Sequence, residues 1–168
     1  MSSWQYVTFG IGSLVFAVDI LLVKEINRRL LLTTVYGVPP GVIGTANLRG
    51  QVLTVFDPGV LMQLPPRNTS SDRTIAVFKT DKELHIYKSG SGFEDHTSLD
   101  RVGFIFDAVG DVFNVEESAI KAVPANIPVC IADHLRGVVK EDSNLLLILN
   151  VGSLLESISL PGLSVETL

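Results

Sequence analysis

The feature that most constrains the fold is a pair of apolar, β-prone runs at residues 42–46 and 52–56, separated by a short polar stretch. That stretch, Asn47-Leu48-Arg49-Gly50, supplies an Asn and a Gly, which tolerate the positive φ of a tight chain reversal. The sequence therefore predicts a β-hairpin. Both faces of its second strand are largely apolar, which predicts that other elements cover that strand on both sides.

Arg49 is the one charged residue between positions 42 and 56. At the tip of a rigid hairpin its guanidinium would face outward, with its fork of donors available to the carboxylates and carbonyls of a protein partner. The residues alone leave a second interpretation open, in which Arg49 is an ordinary solvated turn residue.

Composition narrows the class of protein and its partners. The chain has 168 residues, of which 46 % are hydrophobic and 18 % charged, so we expect a packed globular protein of one domain or two small subdomains. A formal net charge of −5 opposes binding to phosphate backbones, so nucleic acid is not expected as a partner.

Two further features predict a cytoplasmic protein. The N-terminus shows no basic stretch followed by an apolar one, and no apolar run approaches the ~20 residues of a membrane span, so we expect no direct membrane insertion. Cys130 is the only cysteine, which rules out an intramolecular disulfide and fits a reducing compartment.

Asp57 and Asn150 mark two predicted helix starts. Asp57 precedes Pro58, so its carboxylate can accept from free N–H groups, while the proline lacks an N–H that would otherwise be unpaired. Asn150 precedes a helix predicted over 151–158. Both starts share the order Asx, any residue, Gly, any residue, Leu, large apolar residue, which indicates two related β-rich halves, each closed by a short helix.

Strand patterns account for most of the remaining chain. The segment after Asp19 fits either a short helix with Asp19 as its cap or a strand, and the residues leave both open. The polar, glycine-containing stretch 89–101 is predicted to be an exposed loop. Strands are predicted at residues 5–9, 14–18, 74–80, 83–88, 102–106 and 146–149.

Residues that could carry catalytic or metal chemistry are scattered. None of His85, His96 and His134 lies at metal-ligand spacing from a cysteine or a second histidine. The glycines form no phosphate-binding loop, and no serine occupies a nucleophile elbow. We therefore expect no catalytic residues, no metal and no cofactor, and a protein that is not an enzyme.

The hairpin sequence resembles a family signature. Residues 44–50 followed by 52–57 are similar to the Asn-Leu-Arg-Gly signature of the CheW family of chemotaxis coupling proteins. The likeness covers most of residues 5–156 and keeps the family's order and approximate spacing. Its other parts are Tyr6-Val7-Thr8-Phe9, Val18-Asp19-Ile20 with Val23-Lys24-Glu25-Ile26, Asp107-Ala108-Val109-Gly110-Asp111-Val112, and Leu146-Leu147-Ile148-Leu149-Asn150.

The resemblance implies a fold that is all-β (mainly β), with two SH3-like five-stranded β-barrel subdomains and short helices. For this chain it implies a single CheW-like domain over 1–168, with subdomains at about 14–66 and 73–145. The strand at 5–9 and the helix at 151–158 would close the fold.

The resemblance also implies a function, that of a non-enzymatic adaptor that couples a CheA-type histidine kinase to methyl-accepting chemoreceptors. It places five residues at or near contacts with the kinase regulatory domain or the receptor's cytoplasmic tip: Val23, Glu25, Asn47, Arg49 and Gly50. A small β-barrel ligand-binding protein, or a hydrolase with an unrecognised site, is the alternative.

The chain departs from the family pattern at two places. Many members have Asp-Leu-Arg where this chain has Asp57-Pro58-Gly59, so we expect a basic contact at that corner to be missing. The connection at 89–101 is also longer than is usual in the family. These departures leave open whether the protein serves flagellar chemotaxis, pilus motility or another kinase array.

Overall fold

Strands dominate the part of the chain that this computed structural model describes, which comprises residues 3–67, 73–88 and 95–158. The predicted mainly β fold is confirmed. The ten strands within these residues are β1 Ser3–Ile11, β2 Leu14–Asp19, β3 Val23–Asn27, β4 Val42–Leu48, β5 Gln51–Phe56, β6 Thr74–Phe78, β7 Val102–Phe106, β8 Ala108–Glu116, β9 Leu135–Glu141 and β10 Asn144–Leu149.

The helices of the described residues are short. Asp57 and Asn150 cap two of them as predicted, because the Gly59 N–H donates to Asp57 Oδ1 at 2.9 Å and the Ser153 N–H donates to Asn150 Oδ1 at 3.1 Å. The helices are α1 Pro58–Leu61, α2 Asp81–Lys88, α3 Val129–Ala132 and α4 Val151–Ile158, with 3-10 turns at Ile20–Leu22 and Glu117–Ala119.

Asp19 caps a short 3-10 turn, and a strand follows that turn. The segment therefore contains both of the structures that the residues left open, a capped helical turn and a strand. The Asp19 carboxylate accepts from the Leu21 N–H at 2.9 Å, and the 3-10 turn at Ile20–Leu22 then gives way to β3. The predicted loop at 89–101 is described only from residue 95 onward, and residues 89–94 lie outside the described part of the chain.

The stretch 83–88, predicted as a strand, is helical instead and belongs to α2. Thr80 and Glu83 form a reciprocal cap at the start of this helix. The Thr80 N–H donates to Glu83 Oε1 at 3.0 Å, and the Glu83 N–H donates to the Thr80 hydroxyl at 3.4 Å. This local capping, together with the buried side chain of Leu84, outweighs the strand-like alternation of apolar residues.

The strands form two five-stranded sheets with the same pairing pattern. The first sheet has the order β8-β1-β2-β10-β9, and the second has the order β3-β6-β7-β5-β4. Each contains one parallel pair, β2 with β10 and β5 with β7, and its other neighbours are antiparallel. Within the described residues neither sheet is closed, and the stretches 14–66 and 73–145 each contribute strands to both sheets.

Each sheet contains a hairpin that is followed in the chain by a helix. The two hairpin–helix units are equivalent in sequence as well. The same offset separates Arg49 from Asp142 and Asp57 from Asn150. Arg49 and Asp142 occupy the turns of the two hairpins, β4–β5 and β9–β10, and both have a φ of 51°. The repeated helix start in the sequence therefore corresponds to a repeat in the structure.

The main hydrophobic core lies between the two sheets, and each sheet carries a smaller cluster on its other face. Phe9 of the first sheet stacks on Phe106 of the second with ring centroids 4.3 Å apart. In β5, Leu53 and Val55 are buried on one face, but Val52 on the other face is 70 % exposed. The expectation that both faces of this strand are covered is therefore wrong at its beginning.

Arg67 links the two sheets through a pair of carboxylates. Its Nη1 lies 2.9 Å from Asp57 Oδ1 and its Nε lies 2.5 Å from Asp107 Oδ1, with the Arg67 side chain only 14 % exposed. Asp107 in turn accepts from the Gly12 N–H, in the turn between β1 and β2, at 2.7 Å. Burial opposes the charge of Arg67, yet the hydrogen bonds and charges of the two carboxylates raise its pKa above the ordinary value.

The expectation of a missing basic contact at Asp57 is therefore wrong. Arg67 supplies that contact from ten positions further along the chain, and the absence of a side chain at Gly59 leaves room for it. A Cβ at position 59 would lie 2.1 Å from Arg67 Nη1. Gly59 and Arg67 thus act as a pair at the corner where no cation was expected.

We expect Arg67→Gln to lower the free energy of unfolding by about 3 kcal/mol, because it leaves the Asp57 and Asp107 carboxylates without their shared cation. Urea denaturation followed by circular dichroism measures this loss. Arg29→Gln, at an exposed arginine, is the control and should change stability by less than ~0.5 kcal/mol. Equal losses in both variants would contradict the role assigned to Arg67.

Gly59→Ala should cost about 1–3 kcal/mol, since its Cβ displaces the Arg67 guanidinium. The cost should nearly vanish when Arg67 is already Gln, because the shorter side chain leaves the Nη1 position empty. The four proteins of this cycle are compared by urea denaturation. A cost for Gly59→Ala that is the same in both backgrounds would show that the two residues are independent.

Candidate protein-binding surface

The β4–β5 hairpin ends in a two-residue turn whose conformation presents Arg49 at the tip. Arg49 and Gly50 both have positive φ, 51° and 82°, as a type I′ turn requires. Asn47 was expected to take such a φ, but its side chain instead accepts from the Gly50 N–H at 2.9 Å and braces the turn.

Arg49 forms an ion pair with Glu25 of strand β3. Its Nη1 lies 2.6 Å from Glu25 Oε2, and the two side chains are 72 % and 19 % exposed, respectively. The half-buried carboxylate therefore holds one edge of the guanidinium while most of the group faces solvent. Arg49 is thus a largely solvent-exposed turn residue with one ion-pair partner.

This ion pair also shows that the second sheet is curved. Strands β3 and β4 lie at opposite ends of its strand order. In a flat sheet, β3 would lie about 14–19 Å from the strands of the hairpin. Because the 2.6 Å contact joins β3 to the hairpin turn, the sheet curves enough to bring its two ends together.

The structure groups four of the five predicted contact residues around the hairpin tip. Glu25 and Arg49 are paired directly, and Asn47 and Gly50 are joined by a hydrogen bond. Val23 is half-buried and packs against the main core at the start of β3. Two exposed apolar side chains adjoin this group in the strands, Val52 of β5 and Ile26 of β3.

A second ionic cluster, which the sequence did not predict, involves the neighbouring residue of β3. Lys24 Nζ lies 2.6 Å from Glu83 Oε2, and Arg101 donates to the other oxygen of the same carboxylate. Burial acts to raise the pKa of Glu83, but the hydrogen bonds from these cations and from the backbone lower it to about 2. Because residues 83–88 were predicted as a strand, nothing in the sequence pattern indicated that Glu83 lies next to Lys24.

The described residues offer little to the alternative of a catalytic or metal site. They contain no group of three or more His, Cys, Asp or Glu side chains that could hold a metal ion. His134 Nδ1 lies 2.8 Å from Ser153 Oγ, but Ser153 contacts the backbone oxygen of Asp133 and no carboxylate orients the imidazole. Burial lowers the pKa of His134 despite the charge of Asp133. This pair connects α3 to α4.

In the described part of the chain no helix combines the length and apolar character needed to cross a membrane.

Comparison with known proteins identifies the family. A model of the CheW-like domain matches residues 5–159. The chemotaxis protein CheW of Bacillus subtilis (strain 168) is 28 % identical over 153 residues, which cover 90 % of this chain and 86 % of that protein. The chemotaxis protein CheW of Treponema pallidum (strain Nichols) is 25 % identical over 162 residues, covering 96 % and 87 %.

A solved structure shows the same fold. The crystal structure of the scaffolding protein TtCheW from Thermoanaerobacter tengcongensis superposes with a TM-score of 0.73 at 22 % sequence identity, covering 91 % of this chain and 92 % of that chain. With a family model that spans nearly the whole sequence and relatives matched over most of their length, the chain belongs to the CheW-like domain family.

Proposed function

We propose that this protein is a non-enzymatic adaptor that couples a CheA-type histidine kinase, through the kinase's regulatory domain, to the cytoplasmic tip of methyl-accepting chemoreceptors. The observation that carries the proposal is the Arg49–Glu25 ion pair, built on the signature hairpin of a chain that the CheW-like domain model matches over residues 5–159. The proposal places the protein in the cytoplasm, where such kinases and receptor tips meet.

The geometry of the hairpin tip suits protein recognition. One edge of the Arg49 guanidinium is held by Glu25, so its remaining donors are oriented before a partner arrives. A long side chain that is already ordered loses less conformational entropy when the partner binds. The exposed Val52 supplies apolar area on the adjacent strand, and arginine is one of the residue types that most often dominate interface energies.

We also propose that each sheet corresponds to one SH3-like barrel subdomain. The ion pair across the ends of the second sheet and the separate apolar cluster on the outer face of each sheet support this. Strand pairing favours subdomains made of β3–β7 and of β1, β2 and β8–β10 over the continuous stretches 14–66 and 73–145.

The Arg49→Glu variant tests the proposed surface. The new carboxylate removes donors and repels both Glu25 and any acidic group of the partner, so affinity should fall about 10- to 100-fold. Stability should change by less than ~1 kcal/mol, since the side chain is 72 % exposed. Calorimetric titration against a CheA regulatory domain and, separately, a receptor tip fragment measures the affinity, and thermal melting of the same sample measures stability.

Lys140→Glu is the matched control, because it makes the same charge change at an exposed position on the corresponding hairpin of the first sheet. We expect it to weaken binding to the partner of Arg49 far less. Wild-type affinity of Arg49→Glu for both partners would remove Arg49 from the surface. A wild-type protein that binds neither partner would overturn the adaptor function.

A further inference from the structure

We propose that Glu83, on the helix α2, is a positioning residue for the docking surface: by holding Lys24 it fixes strand β3 in the geometry in which Glu25 holds Arg49. The inference rests on the proposed function, since it concerns the same surface. It assigns a role in binding to α2, Asp81–Lys88, which precedes the connection at 89–101.

The Glu83 carboxylate joins three segments of the chain. It accepts from Lys24 Nζ at 2.6 Å, from the Thr80 N–H at 3.0 Å, and from Arg101. Arg101, just before β7, also donates to the backbone oxygen of Phe78 at 3.1 Å. Since the pKa of Glu83 is about 2, the carboxylate stays charged at any pH at which binding would be measured.

The conformation of β3 depends on a contact of this kind, because its pairing with β6 is irregular at the residues predicted to contact a partner. Val23 pairs with Phe78 and Glu25 pairs with Val77, so the register shifts and Lys24 is the extra residue. A β-bulge of this kind re-aims the side chains that follow it. Among the described residues β3 is also an edge strand, paired only with β6. The direction of the Glu25 side chain therefore depends on the conformation of residue 24.

Consecutive residues of β3 thus connect two different elements. Lys24 contacts Glu83 of α2, and Glu25 contacts Arg49 in the turn of the β4–β5 hairpin. Loss of the Lys24–Glu83 contact frees the bulge, and the Glu25 carboxylate loses its fixed position beside Arg49. The guanidinium then samples more conformations in the free protein, which weakens binding without removing any group that touches the partner.

A double-mutant cycle between Glu83 and Arg49 tests the inference. Binding of a CheA regulatory domain and of a receptor tip fragment is measured for the wild type, Glu83→Gln, Arg49→Glu and the double variant. We expect Glu83→Gln to weaken binding about three- to tenfold in the wild-type background, for the partner that Arg49 engages, and to have no further effect when Arg49 is already Glu.

Four more variants separate positioning from effects of general stability and charge. Lys24→Arg keeps the cation and should retain wild-type affinity, whereas Lys24→Gln should match Glu83→Gln. Asn150→Ala removes the cap of α4 and leaves the contacts of Glu83 intact, so it should lower the melting temperature and leave affinity unchanged. Glu156→Gln, at an exposed acid of α4 that pairs with His96, is the control for the loss of one negative charge.

The outcomes distinguish this inference from the proposed function. A loss of binding in Arg49→Glu with none in Glu83→Gln overturns the positioning role alone. Losses that add in the double variant, or an Asn150→Ala protein that binds as weakly as Glu83→Gln, also overturn it. No loss of binding in Arg49→Glu overturns the proposed surface, and the positioning role with it.

Discussion

The Arg67 guanidinium bridges two carboxylates that end strands of the second sheet, and the positions of several other elements depend on this contact. Asp57 follows β5 and caps α1, while Asp107 follows β7 and holds the turn between β1 and β2 of the first sheet. Removing the cation would leave two carboxylates facing each other in a largely dehydrated corner. Next to it, Phe9 and Phe106 stack across the main core. Polar and apolar contacts therefore fix the same junction between the sheets, and β5, the second strand of the signature hairpin, is anchored at the end opposite its tip.

The two sheets share a strand order but not a surface chemistry. Arg49 and Asp142 occupy the turns of the equivalent hairpins and have the same φ of 51°, but their charges are opposite. In the second sheet Arg49 pairs with Glu25 on β3, whereas the equivalent turn residue of the first sheet, Asp142, is itself acidic. A partner that is complementary to one tip is thus mismatched in charge with the other. The internal repeat therefore presents unlike charges at its two hairpin tips.

The sequence predicted what depends on local chemistry and missed what depends on contacts between distant positions. The hairpin and the helix starts at Asp57 and Asn150 follow from neighbouring residues, and the structure confirms them. The contact between Arg67 and Asp57 could not be foreseen, because the family pattern directs attention to position 59, where the chain has Gly59. The resemblance placed Glu25 and Arg49 on one binding surface, but their ion pair was not predicted, since it requires a sheet curved enough to bring its ends together. Residues 83–88 were assigned to a strand because the alternation of apolar residues was weighed without the cap formed by Thr80 and Glu83.

The central claim is that this protein makes the activity of a kinase depend on receptors, which is more than binding to either of them. The most direct measurement is the rate of autophosphorylation of a CheA-type kinase mixed with receptor-containing membranes, with and without the protein. The account predicts a rate that rises only when all three components are present and that falls when the receptor's ligand is added. A kinase rate that is the same with and without the protein, at concentrations where it is bound to both partners, would contradict the account.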